Sequence, residues 1–364
     1  RMTYRVVLAG GGTAGHIEPA LAVADALVAQ RKDLSCEFLG TNGALETLLV
    51  PKRGYRLRTI PKVVLPRQLR IQSIFFPIQL VRALLAALRQ LKGVDVLIGF
   101  GGYVSAPAYL AATIKKIPIV IHEANAKPGW ANRLGRHFAE VVAVNFEGVR
   151  RQWPSAVLTG MPIRQSIASL AQLRDKDSFR KLHCDTWGFD ATKPVIAVFG
   201  GSQGSRHINE VIAEFNSQFK PQGSDLQIIH AVGVNNPLPE KRAGYLPLPY
   251  FHDMAAIYGS ADLLITRSGA VTCSELATVG KFSILVPLPH GNGEQFDNAQ
   301  ALVEHGAAIA IANDEFDADW LRSNLNSALE QAKIFRSLDT GLNIHAADRI
   351  ADLALSVLEK GARK

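Results

Sequence analysis

The chain has 364 residues, of which 48% are hydrophobic and 20% are charged, and this composition is typical of a folded globular protein rather than a disordered one. The length exceeds that of one ordinary hydrophobic core and favours two domains. A net charge of +8 favours anionic partners such as nucleotides or acidic lipid, whereas an aromatic content of only 7% argues against a nucleic-acid-binding protein.

The first predicted element is an apolar strand at residues 4–9, and a glycine-rich turn and a helix follow it. The turn runs Gly10-Gly11-Gly12-Thr13-Ala14-Gly15-His16, after which apolar residues recur at three- and four-residue spacing. That spacing predicts a helix with one apolar face against a sheet. Further strands are predicted at 35–39, 94–98, 117–121, 141–144 and 156–158. Because helical stretches lie between several of them, the pattern indicates a parallel sheet that is covered on both faces.

The same pattern starts a second time after an irregular polar stretch at residues 175–193. A strand at 192–199 leads into Gly200-Gly201-Ser202-Gln203-Gly204-Ser205 and a helix, and later strands are predicted at 227–230, 263–266, 283–286 and 307–310. We therefore predict an α/β protein with two Rossmann-like domains that face a deep cleft, because ligands of such sheets bind beyond the carboxyl ends of the strands. The last predicted helix, at about residues 346–359, has no assigned place in this pattern.

The strand at 263–266 is followed by Arg267-Ser268-Gly269-Ala270 and then by a helix. The N–H groups of the first helical turn and the positive end of the helix dipole favour an anion there, and Glu275 is placed to accept the two hydroxyls of a ribose. The alternative is that Thr272 and Glu275 form a T-x-x-E capping box that only closes the helix. A third glycine loop, at residues 99–107, also follows a strand. Three such loops at strand ends favour a doubly phosphorylated ligand over turns that serve the backbone alone.

The first glycine turn also satisfies the dinucleotide fingerprint G-x-G-x-x-G, so a nicotinamide- or flavin-dependent enzyme is an alternative. That fingerprint requires an acid at the end of the second strand. Here the strand ends in Phe38-Leu39-Gly40-Thr41-Asn42-Gly43, and Glu37 lies too early. A transferase therefore ranks above a dehydrogenase, and the lack of a P-loop motif argues against a P-loop kinase.

Candidate acid–base groups are His16, in the first glycine turn, and the pair His122-Glu123 at the end of a strand. A histidine between a glycine turn and a helix lies at the cleft rather than in the core, and an ordinary pKa of about 6.5 suits a general base. No metal-binding motif appears, so leaving-group charge would be held by helix N-termini and by basic side chains such as Arg164 and Arg267. The three cysteines show no C-x-x-C spacing, which predicts a reducing compartment and no zinc site.

Specific motifs run from the first glycine turn almost to the C-terminus. After that turn and Pro19 they are Gly101-Gly102-Tyr103-Val104-Ser105, His122-Glu123-x-Asn125, Gly160-x-Pro162-Ile163-Arg164, Gly200-Gly201-Ser202-Gln203-Gly204, Asp253-Met254, Arg267-Ser268-Gly269-Ala270-Val271-Thr272-x-Ser274-Glu275 and Glu294-Gln295-x-x-Asn298-Ala299. Together they resemble the MurG family, the bacterial peptidoglycan N-acetylglucosamine transferases of the two-Rossmann GT-B type. The chain departs from the family pattern at Ala14 and Ala106, where glycine is usual, and at Glu294, the first place of a frequent Gln-Gln pair.

The resemblance implies an inverting glycosyltransferase of peptidoglycan synthesis. It would move N-acetylglucosamine from UDP-N-acetylglucosamine to the muramyl 4-hydroxyl of lipid I, giving lipid II and UDP, with no cofactor required in the active site. A non-catalytic UDP-sugar-binding protein is the second alternative. The implied partners are the donor, lipid I, an anionic membrane surface, and proteins of cell-wall synthesis and division, with no nucleic acid.

The resemblance also implies roles for individual residues. Thr13, His16, Tyr103 and Glu123 would present the acceptor. Because His16 lies at this turn, our own hypothesis is that it is the catalytic base, with Glu123 as the alternative. The implied donor-binding residues are Thr13, Ala14, Gly15, Asn125, Arg164, Ser202, Phe251, Ala270, Val271, Thr272, Cys273, Ser274, Glu275 and Gln295. Among them Phe251 would lie by the uracil, and Gln295 and Asn125 would contact the sugar.

The implied domains are an acceptor and membrane-facing domain at 1–163, a UDP-sugar-binding domain at 164–345, and a C-terminal helix at 346–364 that returns to the first domain. Residues 67–91 interleave apolar side chains with cations such as Arg82, which predicts a patch for anionic lipid if Ile74, Phe75 and Phe76 are exposed. The alternative is a core helix. Its buried residues would be Leu80, Leu84, Leu85 and Leu88. No signal peptide or membrane span is predicted, and the resemblance implies a peripheral protein at the cytoplasmic face of the bacterial inner membrane.

Overall fold

The computed structural model describes residues 4–43, 45–63, 76–201, 203–218, 225–338 and 341–362. The chain divides into two compact units, unit 1 (Arg1–Arg164 with Leu342–Lys364) and unit 2 (Gln165–Gly341). Arg164 and residues 342–345 group with unit 1, whereas the predicted boundaries assign them to the second domain.

Unit 1 is a seven-stranded parallel sheet with the strand order β3-β2-β1-β4-β5-β6-β7. Its elements up to the crossing into unit 2 are β1 (Tyr4–Ala9), α1 (Ala14–Gln30), β2 (Leu34–Thr41), α2 (Glu46–Lys52), β3 (Arg56–Ile60), α3 (Phe76–Gln90), β4 (Val96–Gly99), α4 (Ser105–Ile114), β5 (Ile119–Glu123), α5 (Trp130–Gly135), β6 (Val141–Val144), α6 (Glu147–Gln152) and β7 (Val157–Leu158). The central strands β4 and β5 are buried at every position, as expected for a sheet with helices on both faces.

Unit 2 is a six-stranded parallel sheet with the strand order β10-β9-β8-β11-β12-β13. Its elements are α7 (Gln165–Ala171), α8 (Lys176–Trp187), β8 (Val195–Phe199), α9 (Arg206–Gln218), β9 (Gln227–Ala231), β10 (Tyr245–Leu248), α10 (Met254–Ser260), β11 (Leu263–Thr266), α11 (Ala270–Val279), β12 (Ser283–Leu285), α12 (Glu294–Val303), β13 (Ala308–Ala310) and α13 (Ala318–Ile334). The prediction of two parallel-sheet α/β domains is confirmed.

The last helix, α14 (Ala346–Ala362), belongs to the core of unit 1. Its residues Ile350, Ala351 and Ala354 are buried in the same apolar cluster as Ile17 and Leu21 of α1. A second cluster, with Ala83, Ala87 and Tyr109 among its members, fills the space between the opposite face of the sheet and α3 to α5. Because α14 covers one face of the sheet, it removes apolar surface from water that α1 alone would leave exposed.

Two edge strands, β3 and β10, were not predicted from the sequence. The strand β3 contains Arg56 and Arg58 and has only one buried residue, so it lacks the apolar run by which the central strands are recognised. The strand β10 contains Pro247, which has no backbone N–H. Proline is tolerated in an edge strand because the side of the strand that faces solvent needs no donor for a neighbouring strand. Both strands are therefore poorly marked by the hydrophobic pattern.

The helix α3 presents a mixed apolar and cationic face. The side chains of Ile78, Val81 and Leu85 are 58%, 53% and 50% exposed, and Arg82 is exposed beside them. These positions recur every three or four residues and so lie along one side of the helix. No described helix is both long enough and apolar enough to cross a membrane.

The structure describes only one residue of the predicted corner at 74–76, and it agrees in part with the alternative of a core helix. Ile74 and Phe75 lie outside the described residues, and Phe76 is half-buried against the core. Most of the leucines named in the alternative pack against the core, but Leu85 points away from it and is exposed. Among the described residues, the exposed apolar surface of α3 therefore lies at Ile78, Val81 and Leu85.

Candidate functional site

The first glycine turn holds the imidazole of His16 at the carboxyl end of β1. The Nδ1 atom of His16 lies 3.2 Å from Oγ1 of Thr13 and 3.2 Å from the carbonyl oxygen of Gly11. A carbonyl oxygen only accepts hydrogen bonds, so Nδ1 carries the proton in the neutral ring and Nε2 carries the lone pair. This tautomer gives Nε2 the electronic character of a general base.

The second glycine loop follows β4 and lies against the same ring. A Cβ atom built on Gly101 would stand 3.4 Å from Nε2 of His16, and Gly101 has a φ of +90°. A Cβ on Gly102 would stand 2.5 Å from the carbonyl oxygen of Gly11, so glycine is required where the two loops meet. The strands β1 and β4 are neighbours in the sheet, which explains why their terminal loops come together.

Tyr103 completes this group of side chains. A Cβ on Gly12 would stand 3.8 Å from Cδ2 of Tyr103, and Nζ of Lys62 lies 5.1 Å from the centre of the tyrosine ring. Ala14 and Gly15 form the first turn of α1 immediately behind them. The structure therefore brings together the predicted residues of the first turn, His16 and Tyr103.

Glu123, at the end of β5, is buried and accepts four hydrogen bonds. Its Oε1 accepts from the backbone N–H of Asn125 at 2.9 Å and from Nδ2 of Asn125 at 3.4 Å. Its Oε2 accepts from the N–H of Gly129 at 3.1 Å and from Nδ2 of Asn132 at 2.9 Å. Burial raises the pKa of Glu123, and the four hydrogen bonds oppose that rise. The carboxylate thus fixes the loop that carries Asn125.

Asn132, which the sequence analysis did not single out, connects Glu123 to the glycine loops. Its Oδ1 accepts a hydrogen bond from the hydroxyl of Tyr109 at 2.7 Å, and its Nδ2 also donates to the carbonyl oxygen of His122 at 3.1 Å. A Cβ on Gly101 would stand 3.4 Å from Nδ2 of Asn132, the same distance as from His16. His16 and Asn132, a hydrogen-bond partner of Glu123, therefore both lie close to Gly101.

His122, the other member of the predicted pair, is buried away from this group. Its Nε2 lies 3.0 Å from the carbonyl oxygen of Gly160 and donates to it, and burial lowers the pKa of His122 to about 4. The ring is therefore neutral at pH 7. Its role in this structure is to fix Gly160, close to the point where the chain leaves unit 1.

Glu46 is a further carboxylate of unit 1 that the sequence analysis missed. It is fully buried at the start of α2, where its Oε2 accepts from the N–H of Gly12 at 3.1 Å. Its Oε1 accepts from the N–H and the hydroxyl of Thr41 at 2.8 Å and 2.9 Å. The dinucleotide fingerprint requires an acid at the end of β2. Here the acid is Glu46, five residues after the last residue of β2, and it binds the backbone of the glycine turn. Its position after the small residues that end β2 is the only sequence signal for it.

In unit 2, the glycine turn after β8 leaves no room for a side chain at Gly200 and Gly204. A Cβ on Gly200 would stand 2.4 Å from the N–H nitrogen of Ser205, and a Cβ on Gly204 would stand 2.1 Å from the carbonyl oxygen of Val232. Gly204 also has a φ of +75°. Ser202, the predicted phosphate ligand of this turn, lies outside the described residues.

The helix α11 begins beside this turn, since β11 is the neighbour of β8 in the sheet. Its N-cap is Gly269, which has no side chain to cap the helix. The T-x-x-E capping box is therefore not formed, because Thr272 lies inside the first turn instead of at the N-cap position. The first N–H groups of a helix have no partner within it, so this end can bind an anion. The predicted donor residues Ala270, Val271, Thr272, Cys273, Ser274 and Glu275 make up its first two turns.

Glu275 is almost completely buried and accepts a hydrogen bond from a residue that was not predicted. The hydroxyl of Tyr258 donates to Oε2 of Glu275 at 3.0 Å. The Tyr258 ring meets Phe199 edge-on at 6.4 Å between ring centres, and Phe199 meets Phe251 in the same way at 5.9 Å. Phe251, the predicted uracil neighbour, is therefore connected to Glu275 through the rings of Phe199, at the end of β8, and Tyr258, on α10.

The loop between β11 and α11 is tied to the start of α12. Ser268 donates its hydroxyl proton to the carbonyl oxygen of Gln295 at 2.7 Å, and Nδ2 of Asn298 donates to the carbonyl oxygen of Ser268 at 3.2 Å. The side-chain oxygen of Gln295 accepts from the N–H of Leu288 at 2.9 Å. The predicted sugar ligand Gln295 is thereby held at a fixed distance from the N-terminus of α11.

Two arginines were proposed to hold the charge of the leaving group. The guanidinium of one of them, Arg267, makes hydrogen bonds within unit 2. Its guanidinium donates to Oδ1 of Asn313 at 2.7 Å, to the hydroxyl of Ser205 at 2.8 Å and to the carbonyl oxygen of Val286 at 3.0 Å. Arg164 is partly buried and is the last residue of unit 1 before the chain enters unit 2. Among the described residues, no group of three or more His, Cys, Asp or Glu side chains is arranged to hold a metal ion.

Comparisons with known proteins match both units of the chain. Residues 6–144 match the glycosyltransferase family 28 N-terminal domain, and residues 195–352 match the glycosyltransferase family 28 C-terminal domain. A protein of Corynebacterium diphtheriae is 41% identical over 99% of both chains, and one of Streptomyces avermitilis is 43% identical over 88% of both. Both are named UDP-N-acetylglucosamine--N-acetylmuramyl-(pentapeptide) pyrophosphoryl-undecaprenol N-acetylglucosamine transferase.

Solved structures extend the likeness to the fold. The crystal structure of MurG from Acinetobacter baumannii is 26% identical and has a TM-score of 0.69, with 97% of this chain and 99% of that chain covered. A UDP co-structure of MnaA from S. aureus also has a TM-score of 0.69, but at 15% identity over 98% and 97% of the two chains it shows the fold alone. The predicted GT-B fold class is confirmed.

Proposed function

The chain belongs to glycosyltransferase family 28, and from this premise we propose that it transfers N-acetylglucosamine from UDP-N-acetylglucosamine to an undecaprenyl-pyrophosphoryl muramyl pentapeptide. The observation that carries the proposal is the agreement along the whole chain with a transferase of that name. The product would be lipid II, formed from lipid I by attack of the muramyl 4-hydroxyl with inversion at the anomeric carbon.

The donor is assigned to unit 2. The N-terminus of α11, with the residues from Ala270 to Ser274, suits the pyrophosphate because its N–H groups and helix dipole favour negative charge. The Glu275 carboxylate would bind the ribose hydroxyls, Phe251 would lie by the uracil, and Gln295 would bind the sugar. Ser202 is assigned to the phosphates, together with Arg164, which belongs to unit 1 and directly precedes the first residue of unit 2.

The acceptor and the catalytic base are assigned to unit 1. Nε2 of His16 would accept the proton of the muramyl 4-hydroxyl while the oxygen attacks the anomeric carbon, and UDP would leave with the electron pair of the broken bond. The tautomer indicated by the Gly11 carbonyl supports this role for His16. Thr13 and Tyr103, which lie at the same turn, would contact the acceptor.

Glu123 is assigned a positioning role in preference to that of a base. All of its hydrogen bonds come from residues 125–132, so the carboxylate orders that loop and presents Asn125. A base must be able to take a proton from the substrate, whereas both oxygens of this carboxylate are already acceptors for the protein itself.

The exposed face of α3 supports a peripheral membrane contact. Ile78, Val81 and Leu85 would enter the headgroup region, and Arg82 would pair with anionic lipid. Such a contact would bring unit 1 to the lipid-linked acceptor at the cytoplasmic face of the inner membrane. Association with other proteins of cell-wall synthesis and division belongs to the same proposal.

The test is transfer of labelled N-acetylglucosamine from its UDP donor to a short-chain lipid I analogue in the presence of a chelator. We expect transfer from this donor and not from UDP-N-acetylgalactosamine. Protein that binds UDP but transfers nothing would keep the donor site and refute the acceptor, whereas saturable binding of a reduced nicotinamide dinucleotide would favour a dehydrogenase.

A further inference from the structure

Glu46 is the one carboxylate in contact with the backbone of the first glycine turn among the described residues, and it reaches the turn at a specific peptide group. Its Oε2 accepts the N–H of Gly12, and the carbonyl oxygen of Gly11 lies 3.2 Å from Nδ1 of His16. These N–H and C=O groups belong to the same peptide plane, because the peptide bond joins Gly11 to Gly12. In a trans peptide the two groups point in opposite directions, so the plane lies between the carboxylate and the imidazole.

The neighbouring sequence makes room for Glu46. A Cβ on Gly11 would stand 2.4 Å from Oε1 of Glu46, and a Cβ on Gly40 would stand 2.5 Å from its Cγ. Neither glycine has a positive φ, so both are required by the space that Glu46 occupies and not by the backbone conformation. The need for glycine at positions 11 and 40 therefore follows from the packing of the Glu46 side chain against both.

A carboxylate is suited to this place in a way that an amide is not. Glu46 accepts from the Thr41 backbone with one oxygen and from Gly12 with the other, and an ionised carboxylate has acceptor capacity on both oxygens. A glutamine would offer one acceptor and one NH₂ group, so one of the two N–H groups would face a donor. Glu46 is fully buried, and the hydrogen bonds from Gly12 and Thr41 compensate for the removal of its carboxyl group from water.

We infer that Glu46 is a positioning residue of the transfer reaction, acting on His16 through the Gly11–Gly12 peptide. The carboxylate fixes and polarises the peptide, so that the Gly11 oxygen holds the Nδ1–H of His16 and Nε2 faces the acceptor. When Nε2 takes the proton of the acceptor hydroxyl, the polarised carbonyl stabilises the imidazolium. Glu46 itself transfers no proton in this step. This inference rests on the proposed function.

The experiment compares Glu46→Gln with Thr41→Val as the matched control. Thr41→Val removes the hydroxyl bond to Oε1 of Glu46 but leaves the bond from Gly12 to Oε2. We expect Glu46→Gln to lower kcat by about ten-fold or more, with the donor KM within about two-fold, and Thr41→Val to retain both parameters. Thermal unfolding of each variant verifies that folded protein is compared.

A double-mutant cycle with His16→Ala separates positioning from a general loss of structure. If Glu46 acts through His16, Glu46→Gln has no further effect on kcat in the His16→Ala background. Equal losses in the two backgrounds, or equal losses in Glu46→Gln and Thr41→Val, would overturn the inference. If Glu46→Gln does not fold, Glu46→Asp takes its place, since it keeps the charge but is one methylene too short to reach both partners. Wild-type protein without transfer activity would refute the proposed function and the inference with it, whereas an active wild type with an unaffected variant would refute the inference alone.

Discussion

The hydroxyl of Tyr258 lies 3.0 Å from Oε2 of Glu275, and both side chains are buried in unit 2. The phenol can donate and an ionised carboxylate can only accept, so Tyr258 holds the carboxylate in place from behind. The two residues are 17 positions apart, on α10 and α11. Glu275 is proposed to bind the ribose hydroxyls, whereas Tyr258 does not contact the ribose in our proposal. The orientation of the Glu275 carboxylate therefore depends on Tyr258.

We expect Tyr258→Phe to weaken binding of UDP without preventing folding. A net hydrogen bond contributes about 0.5–1.5 kcal/mol, so the Kd for UDP should rise by roughly two- to ten-fold, as measured by calorimetry. The control is Tyr245→Phe. Tyr245 lies on the edge strand β10, and this change removes a buried phenol hydroxyl that lies 3.0 Å from Nδ1 of His230. If both variants weaken UDP binding equally, the effect is one of general stability and not of Glu275.

Glu275→Ala should raise the KM for the donor by about ten-fold or more, because it removes the charged acceptor proposed for the ribose hydroxyls. The loss should exceed that of Tyr258→Phe, since the carboxylate itself is gone. Glu330→Ala is a suitable control, as this exposed residue pairs only with Lys333 on α13 among the described residues. An unchanged donor KM in folded Glu275→Ala protein would reduce Glu275 to a structural partner of Tyr258.

His16→Ala should lower kcat by about a hundred-fold or more, which is the usual contribution of a positioned general base. Binding of UDP, measured separately, should stay close to that of the wild type, because the donor is assigned to unit 2. His137→Ala, which changes an exposed histidine of unit 1, should retain full turnover. Full turnover of His16→Ala with the lipid I analogue would remove His16 from the mechanism.

The fold was predictable because the signals that specify it are local. The apolar runs of β1, β6 and β11 end abruptly at glycine or polar turns, and these three strands have the predicted bounds. The positions of His16 and Glu123 followed from the rule that the carboxyl ends of parallel strands share one edge of the sheet. Local sequence therefore identified which turns belong to the candidate site.

The partners of those turns were not predictable, because they come from distant parts of the chain. Glu46 lies 34 positions from Gly12, and its helix α2 has no apolar periodicity that would point it toward the turn. Tyr258 looked like an ordinary core residue. The capping box was a reasonable local alternative for Thr272, but only the structure shows that the helix begins two residues earlier, at Ala270.

The exposed face of α3 should determine membrane binding. We expect Val81→Ser combined with Leu85→Ser to weaken binding to vesicles that contain cardiolipin, since each change removes apolar area that would enter the lipid. Leu182→Ser is the matched control, because Leu182 is 62% exposed on α8 of unit 2. Co-sedimentation measures the bound fraction. Equal binding of all three proteins would contradict the membrane contact.

The stability of unit 2 should fall in mild acid because of His230. This residue is buried, with Nδ1 at 3.0 Å from the hydroxyl of Tyr245 and Nε2 at 2.9 Å from Oδ1 of Asn209. Nδ2 of Asn209 donates to the carbonyl oxygen of Val232, so Oδ1 is an acceptor and Nε2 of His230 carries the proton. Nδ1 then accepts from Tyr245, and a second proton on the ring would reverse the direction of that bond and place a charge in a buried site.

Burial lowers the pKa of His230 to about 4, whereas an unfolded histidine titrates at about 6.5. Between these values the unfolded chain binds more protons than the folded one. The contribution of neutral His230 to the free energy of unfolding is therefore fully present above about pH 6.5 and falls as the pH drops toward 4. At about 1.4 kcal/mol per pKa unit, the loss at about pH 5 is about 2 kcal/mol. Urea unfolding at about pH 7.5 and about pH 5 should therefore show a smaller acid-induced loss of unfolding free energy for His230→Gln than for the wild type, by about that amount.

The control variant His137→Gln should behave as the wild type, because His137 is exposed in unit 1. His122, whose pKa is also lowered by burial, remains in both variants, so some acid sensitivity persists. An acid loss as large in His230→Gln as in the wild type would show that His230 does not remain neutral in the folded protein.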